Sequence, residues 1–260
     1  MRMSVFGTLQ ALRDKPIPAP RGKRGYYRSI PIDVSGAADK EPIARAEAFG
    51  IAGENFYASD RNPPYYHVIP GSIDVIAMRE GAAKRLARVN AKLSEAGLEL
   101  FVFDAWRPQA VQIYFHDQWL PNELKRRDPS LSGDALTAEV ETYWAAPSAG
   151  DDAPSPHSTG GAIDLTIRWK DGEPLWMGSL FDDASPIANT AHFEGAAADA
   201  SVSFSAEEAR ANRRLLYWLM VDAGFASNPS EWWHFSYGDQ MWAQLTGAPA
   251  ALYSGAEYTP

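Results

Sequence analysis

His157, Asp164, Glu231 and His234 are the residues of this 260-residue chain whose types and spacing could hydrolyse a bond. The first two lie in SPHSTGGAIDLTI, residues 155–167, and the last two in EWWH, residues 231–234. The chain has five histidines and no cysteine, so any metal must be held by imidazole and carboxylate. A hydrolytic zinc takes three protein ligands and keeps one position for water. His157, Asp164 and His234 could supply N, O and N. Glu231 would then be the spare carboxylate that a general base requires. The spacing carries a tension, because residues three or seven apart on a regular strand point to opposite faces. A turn at Asn228-Pro229 and a tight curve at Gly160-Gly161 would relieve it. Taken singly, each residue also has an ordinary reading. His157 reads as a loop histidine, Asp164 as a turn acid, Glu231 as a turn cap and His234 as a hydrogen-bonded core residue. His67, His116 and His192 read as packing or surface residues.

These positions need elements to hold them. EGAAKRLARVNAKLSEAG predicts an amphipathic helix, with Ala82, Leu86, Val89 and Leu93 on one face and Gly97 as its stop. LELFVFDAW follows as a buried strand ending near Asp104. Pro108 suits the start of a further helix, QAVQIYFHDQWL. A helical piece is expected around LTAEVETYW, and PSAGDDAPSP reads as a loop. GGAIDLTI reads as a strand whose paired glycines permit close backbone approach. SAEEARANRRLLYWLMVDAGF predicts a second clear helix. Ser205 and Glu208 match a capping box there, and Leu215, Leu216, Leu219 and Met220 form the apolar face. SNPSEWWHFSY turns at Asn228-Pro229 and becomes an aromatic strand. The uneven helix–strand order lacks regular βαβ spacing. It predicts a single α+β domain with a mainly antiparallel sheet flanked by helices. Residues 1–25 read as an N-terminal arm, residues 26–260 as the domain, and 121–156 as a loop or lid inserted in it.

Composition narrows the classes. A hydrophobic share of 45% can bury a sizeable core, and the net charge of −9 with no dense basic block disfavours nucleic acid. No run of 18 apolar residues exists and the N-terminus lacks a secretory pattern, so the expectation is a cytoplasmic protein with no membrane partner. No P-loop, Rossmann glycine pattern or G-x-S-x-G elbow is present.

Four segments, in order, resemble the zinc D-alanyl-D-alanine dipeptidases, a group that includes the vancomycin-resistance dipeptidase and shares its fold with the hedgehog signalling domain. They are FDAWRP (103–108), the S-x-H-x-x-G-x-A-x-D of Ser155 to Asp164, MGSLFD (177–182) and E-x-x-H (231–234). The resemblance implies one zinc per chain on His157, Asp164 and His234, with Glu231 as general base and acid. It implies that Arg107 stabilises the oxyanion, and that Ser155 and Asp182 hold the ammonium group of a small dipeptide. An ion pair for Arg107 and a turn for Asp182 are their ordinary readings. The sequence departs from the family where a substrate-binding Tyr is usual. GIAGENF, residues 50–56, keeps Asn55-Phe56 but has no Tyr near Gly50, so the favoured dipeptide is open. Two rival functions remain: a D,D- or L,D-carboxypeptidase on peptidoglycan stems, and a zinc-bearing binding domain without catalysis.

Overall fold

The computed structural model describes residues 5–19, 27–144, 146–148, 150, 153–198 and 203–260. The chain opens with helix α1 (Val5–Asp14), inside the stretch expected to be an irregular arm. The proline and basic clusters that suggested an arm begin only after it. Leu9 turns into the main core, and Arg13 pairs with Glu208 at 3.0 Å on a later helix. Two short strands, β1 (Ile43–Arg45) and β2 (Ala52–Gly53), precede β3 (Ala77–Arg79), which pairs with β1. Helix α2 (Glu80–Ser94) buries the stripe Ala82, Leu86, Val89 and Leu93 as its periodicity predicts. Gly97 follows at φ +74°, the left-handed turn that returns the chain to the sheet.

β4 (Leu98–Asp104) alternates buried with half-buried positions, and its last buried position is Asp104. Helix α3 (Gln109–Tyr114) runs through a π-helical turn at Phe115–Trp119 into α4 (Leu120–Arg127), and α5 (Gly133–Tyr143) packs against α4 around Leu120, Leu124 and Val140. Part of the expected PSAGDDAPSP loop, residues 149 and 151–152, lies outside the described residues.

β5 (Ala162–Trp169) is buried on both faces as far as Ile167. Helix α6 (Phe204–Asp222) buries Leu215, Leu216, Leu219 and Met220. Its cap differs from the expected box. Ser203, two residues earlier, is the N-cap, and its hydroxyl accepts the Ala206 N–H. Ser205 therefore lies inside the first turn, where its backbone is already helical and cannot cap. β6 (Ala226–Ser227), β7 (His234–Ser236) and α7 (Gln240–Thr246) complete the chain. The aromatic strand expected over SNPSEWWHFSY is thus only three residues long.

The main sheet has the order β2-β4-β5-β7-β6. The β2–β4 pair is parallel and the other three are antiparallel, so the fold is α+β with a mainly antiparallel sheet. Its register sets the site. Asp104 on β4 lies opposite Asp164 on β5, and Asp164 lies opposite His234 on β7.

Candidate metal centre and active site

A polar row across three buried strands is costly unless its members satisfy one another. His157 joins the row from a short 3-10 turn, Pro156–Thr159. Gly160 ends that turn at φ +72°, and Gly161 follows where a Cβ would sit 2.3 Å from the Tyr237 carbonyl oxygen. This curve lets His157 and Asp164 face one point although seven residues separate them. The second tension is resolved likewise. Glu231 lies outside β7, in a turn closed by the His234 N–H donating to the Glu231 carbonyl at 3.2 Å. Glu231 Oε2 thereby comes within 3.6 Å of His234 Nδ1.

The three expected ligands converge. His157 Nε2 lies 3.2 Å from His234 Nδ1 and 3.4 Å from Asp164 Oδ2, and His234 Nδ1 lies 3.1 Å from Asp164 Oδ1. Tetrahedral zinc with ligand bonds of ~2.0–2.1 Å spaces its ligands about 3.3 Å apart. His157 Nδ1 lies 2.8 Å from the Ala105 carbonyl oxygen, so it is the donor and Nε2 is left to bind. Asp164 Oδ1 is buried without a hydrogen-bond partner. An orphaned carboxylate oxygen between two imidazoles fits a cation that the protein itself does not provide. Among the described residues this is the group of three that could hold a metal ion. Burial alone would raise the Asp164 carboxyl, but His157 and His234 outweigh it and hold it well below the ordinary range.

Arg107 reaches the cluster from the residue after Trp106. Its Nη2 donates to Asp164 Oδ2 at 3.2 Å, its Nε to Asp104 Oδ2 at 2.8 Å and its Nη1 to Gln112 Oε1 at 3.1 Å. The guanidinium lies over the rings of Trp144 and Tyr57. Burial opposes its charge, yet Tyr57, Asp104 and Asp164 keep it protonated. The ion pair read as its ordinary role is therefore real, and it aims the guanidinium into the pocket. Glu231 is oriented by Asn228, whose Nδ2 donates to Oε2 at 2.7 Å.

Asp182 faces the same pocket from a left-handed backbone at φ +60°. Burial and the Asp164 charge push its carboxyl up to about 7, against Arg107 and two phenol donors. Those donors are Tyr57 and Tyr65, 2.8 and 3.0 Å from Asp182 Oδ2. Ser155 is buried beside His157, but Pro156, rather than Ser155, lines the pocket. Trp119, Leu120, Tyr143, Trp144, Trp233 and Met241 form its less polar walls.

Sequence reasoning missed Tyr57, Tyr65, Asn228 and Gln112. Tyr57 directly follows the Asn55-Phe56 pair, and its hydroxyl reaches Asp182 and Arg107 together. Asn228 had been read only as a turn former.

Three converging ligands, a carboxylate and a guanidinium round one pocket are the parts of a metal-dependent hydrolase site. The family model described as D-ala-D-ala dipeptidase matches residues 71–248, and the chain belongs to that family. It is similar to the D-alanyl-D-alanine dipeptidase of Synechocystis sp., with 37% identity over 231 residues, 84% of this chain and 88% of that one. The enzyme of the same name from Escherichia coli is 32% identical over 158 residues, 61% of this chain and 65% of that one. Among solved structures, the chain resembles a vancomycin-resistance D,D-pentapeptidase determined with Zn(II). That match covers 85% of this chain and 90% of that one at 13% identity and a TM-score of 0.38, too slight a likeness to bear on the site.

Proposed function

We propose that this chain is a zinc-dependent dipeptidase that hydrolyses D-alanyl-D-alanine or a related D-amino-acid dipeptide. The observation that carries the reading is the convergence of His157, Asp164 and His234 with Glu231 and Arg107 on one pocket. His157 Nε2, an Asp164 oxygen and His234 Nδ1 would hold the metal. Bound zinc supplies Lewis acidity toward a carbonyl oxygen and a water acidified toward about pKa 7. Glu231, steadied by Asn228, accepts the proton of the attacking water and delivers it to the leaving amine. That shuttle is worth roughly 10²–10⁴-fold. Arg107 stabilises the negative charge that grows on the scissile oxygen. Asp182, with Tyr57 and Tyr65 behind it, binds the substrate ammonium, and Ser155 supports the same end of the pocket through its neighbour Pro156.

Tyr143 and Trp144 at the end of α5 wall the pocket, which supports reading 121–156 as a lid and favours a short substrate over a peptidoglycan stem. Among the described residues no helix is long and apolar enough to cross a membrane, and a cytoplasmic setting belongs to the same reading. The test is a panel of D,D, L,D and L,L dipeptides and one pentapeptide, run with zinc analysis. The expected result is one zinc per chain, turnover of the D,D dipeptide and at least a 100-fold loss in Glu231→Ala with zinc retained. Stoichiometric zinc without hydrolysis would favour a binding domain, and preference for the pentapeptide would favour a carboxypeptidase.

A further inference from the structure

His234 turns Nδ1 toward the cluster, so its proton belongs on Nε2. Nε2 lies 3.2 Å from the Ser236 hydroxyl, two residues along β7 on the same side of the strand. If Nε2 donates, the Ser236 oxygen accepts and its own proton needs an acceptor. Ser236 is 0% exposed, away from bulk solvent. Asp239, three residues further along the chain, is 1% exposed. Asp239 Oδ1 accepts the Trp242 N–H at 2.8 Å and so caps α7. Its Oδ2 is buried with no hydrogen-bond partner. Burial raises this carboxyl, while the Trp242 amide and the Ser236 hydroxyl both favour its ionised form. The Ser236 hydroxyl at the end of β7 and the Asp239 carboxyl at the cap of α7 lie three residues apart, across the turn that joins the two elements.

We propose that Ser236 and Asp239 are positioning residues for the metal centre: the chain His234 Nε2–H, Ser236 Oγ–H, Asp239 Oδ2 fixes the imidazole tautomer that presents Nδ1 to zinc. This rests on the zinc reading of the site. It adds that the cap of α7 and the ligand on β7 are one hydrogen-bonded unit. His157 is fixed differently, by the Ala105 carbonyl. Asp104 Oδ2 lies 3.3 Å from the same His157 Nδ1, on the opposite side of the site from Ser236 and Asp239.

The test measures zinc affinity by competition with a chromophoric chelator in wild type, Ser236→Ala, Asp239→Asn and the double variant. Asn caps a helix about as well as Asp, so α7 is retained, and thermal melting of the metal-free proteins checks this. Each single variant is expected to weaken zinc about 10-fold or more. The double variant is expected to be no worse than Ser236→Ala alone, because Asp239 acts through Ser236. Ring ¹H–¹⁵N spectra of the zinc-loaded protein should show a hydrogen-bonded, slowly exchanging His234 Nε2–H in wild type, shifted and faster to exchange in Ser236→Ala. That signature would not move if Ser236 merely packed, and it decides the question should Asp239→Asn fail to fold. Affinities within twofold of wild type, losses that multiply in the double variant, or an unchanged His234 Nε2–H signal in Ser236→Ala would overturn the proposal. If wild type holds zinc and cleaves dipeptide while the variants behave normally, only this inference fails. If wild type binds no zinc, the function proposed above fails with it.

Discussion

Arg107 is held by two buried carboxylates and lies over two aromatic rings, so its removal has two separable effects. Losing one donor to a developing oxyanion costs about 3–4 kcal/mol in kcat. Leaving Asp104 buried without its guanidinium partner costs a further ~3–5 kcal/mol of stability. Arg107→Met should therefore lower both kcat and the denaturant midpoint, whereas Glu231→Gln, at the half-exposed rim, should lower kcat alone. Asp182 makes a pH prediction. Its carboxyl takes up a proton as pH falls through about 7, and the neutral acid binds an ammonium group poorly. A bound dication nearby favours the carboxylate and moves this limb toward acid. KM for the dipeptide should therefore rise as pH falls below about 7, and Asp182→Asn should raise KM and flatten that limb. The candidate ligands, base and arginine could be picked out in the sequence because each sits in a short motif of distinctive residue types. Tyr57, Tyr65 and Asn228 were not, because a tyrosine or asparagine announces nothing until the fold shows what its polar end touches.

The elements matter through the turns between them. Thr190 donates its hydroxyl to the Asn228 carbonyl, and the Trp232 N–H donates to the Ala188 carbonyl, which ties the Glu231 turn to the segment after Asp182. Arg213 on α6 locks that segment by donating to the carbonyls of Met177, Ile187 and Asn189 at 2.6–2.9 Å. Burial lowers its pKa to about 9. Arg213→Met would strand three carbonyls, with a cost on the order of 3 kcal/mol or more. Denaturant unfolding should show that loss, and activity should fall because Asp182 and Glu231 lose their common support. Helices α2 and α6 were legible because an apolar stripe repeats every three to four residues. The stop of β7 after three residues was not legible. Its aromatic run suits a strand, and only the Asn228–Glu231 turn shows that Trp232 and Trp233 belong to the approach.

The whole molecule closes round the site from both sequence ends. α1 packs on α6, Arg214 donates to the Asp14 carbonyl, and Trp218 Nε1 donates to the Lys15 carbonyl. Removing residues 1–16 would expose the surface that Leu9 and its neighbours cover, about 1.5–3 kcal/mol for each large side chain. Thermal melting should show the loss while kcat at low temperature stays within about twofold, since no residue of α1 lines the pocket. A collapse of kcat in a folded truncation would contradict the division into an arm, 1–25, and a domain, 26–260. At the other end, Trp106 Nε1 donates to the Ala256 carbonyl, and Ala256 N–H donates to the Ser158 carbonyl. The tail thus braces the segments bearing both Arg107 and His157. Such long-range closure was hidden in the sequence: the Val5, Leu9, Leu12 spacing marks a helix but not its partner, and residues 247–260 show no periodic pattern to extrapolate.

Gly161 has a consequence for how this protein can change over generations. Every other amino acid carries a Cβ, and at this position that atom would collide with the backbone oxygen of Tyr237. The collision is between a Cβ just before β5 and a main-chain oxygen just beyond β7, so no rotamer can relieve it. Any substitution must push apart the two strands that carry Asp164 and His234. In a saturation library selected for dipeptide turnover, position 161 should return glycine alone, while exposed α2 positions such as Lys84 accept most residues. Lineages of this enzyme can then explore new substrates through the pocket walls, with this one site closed to drift.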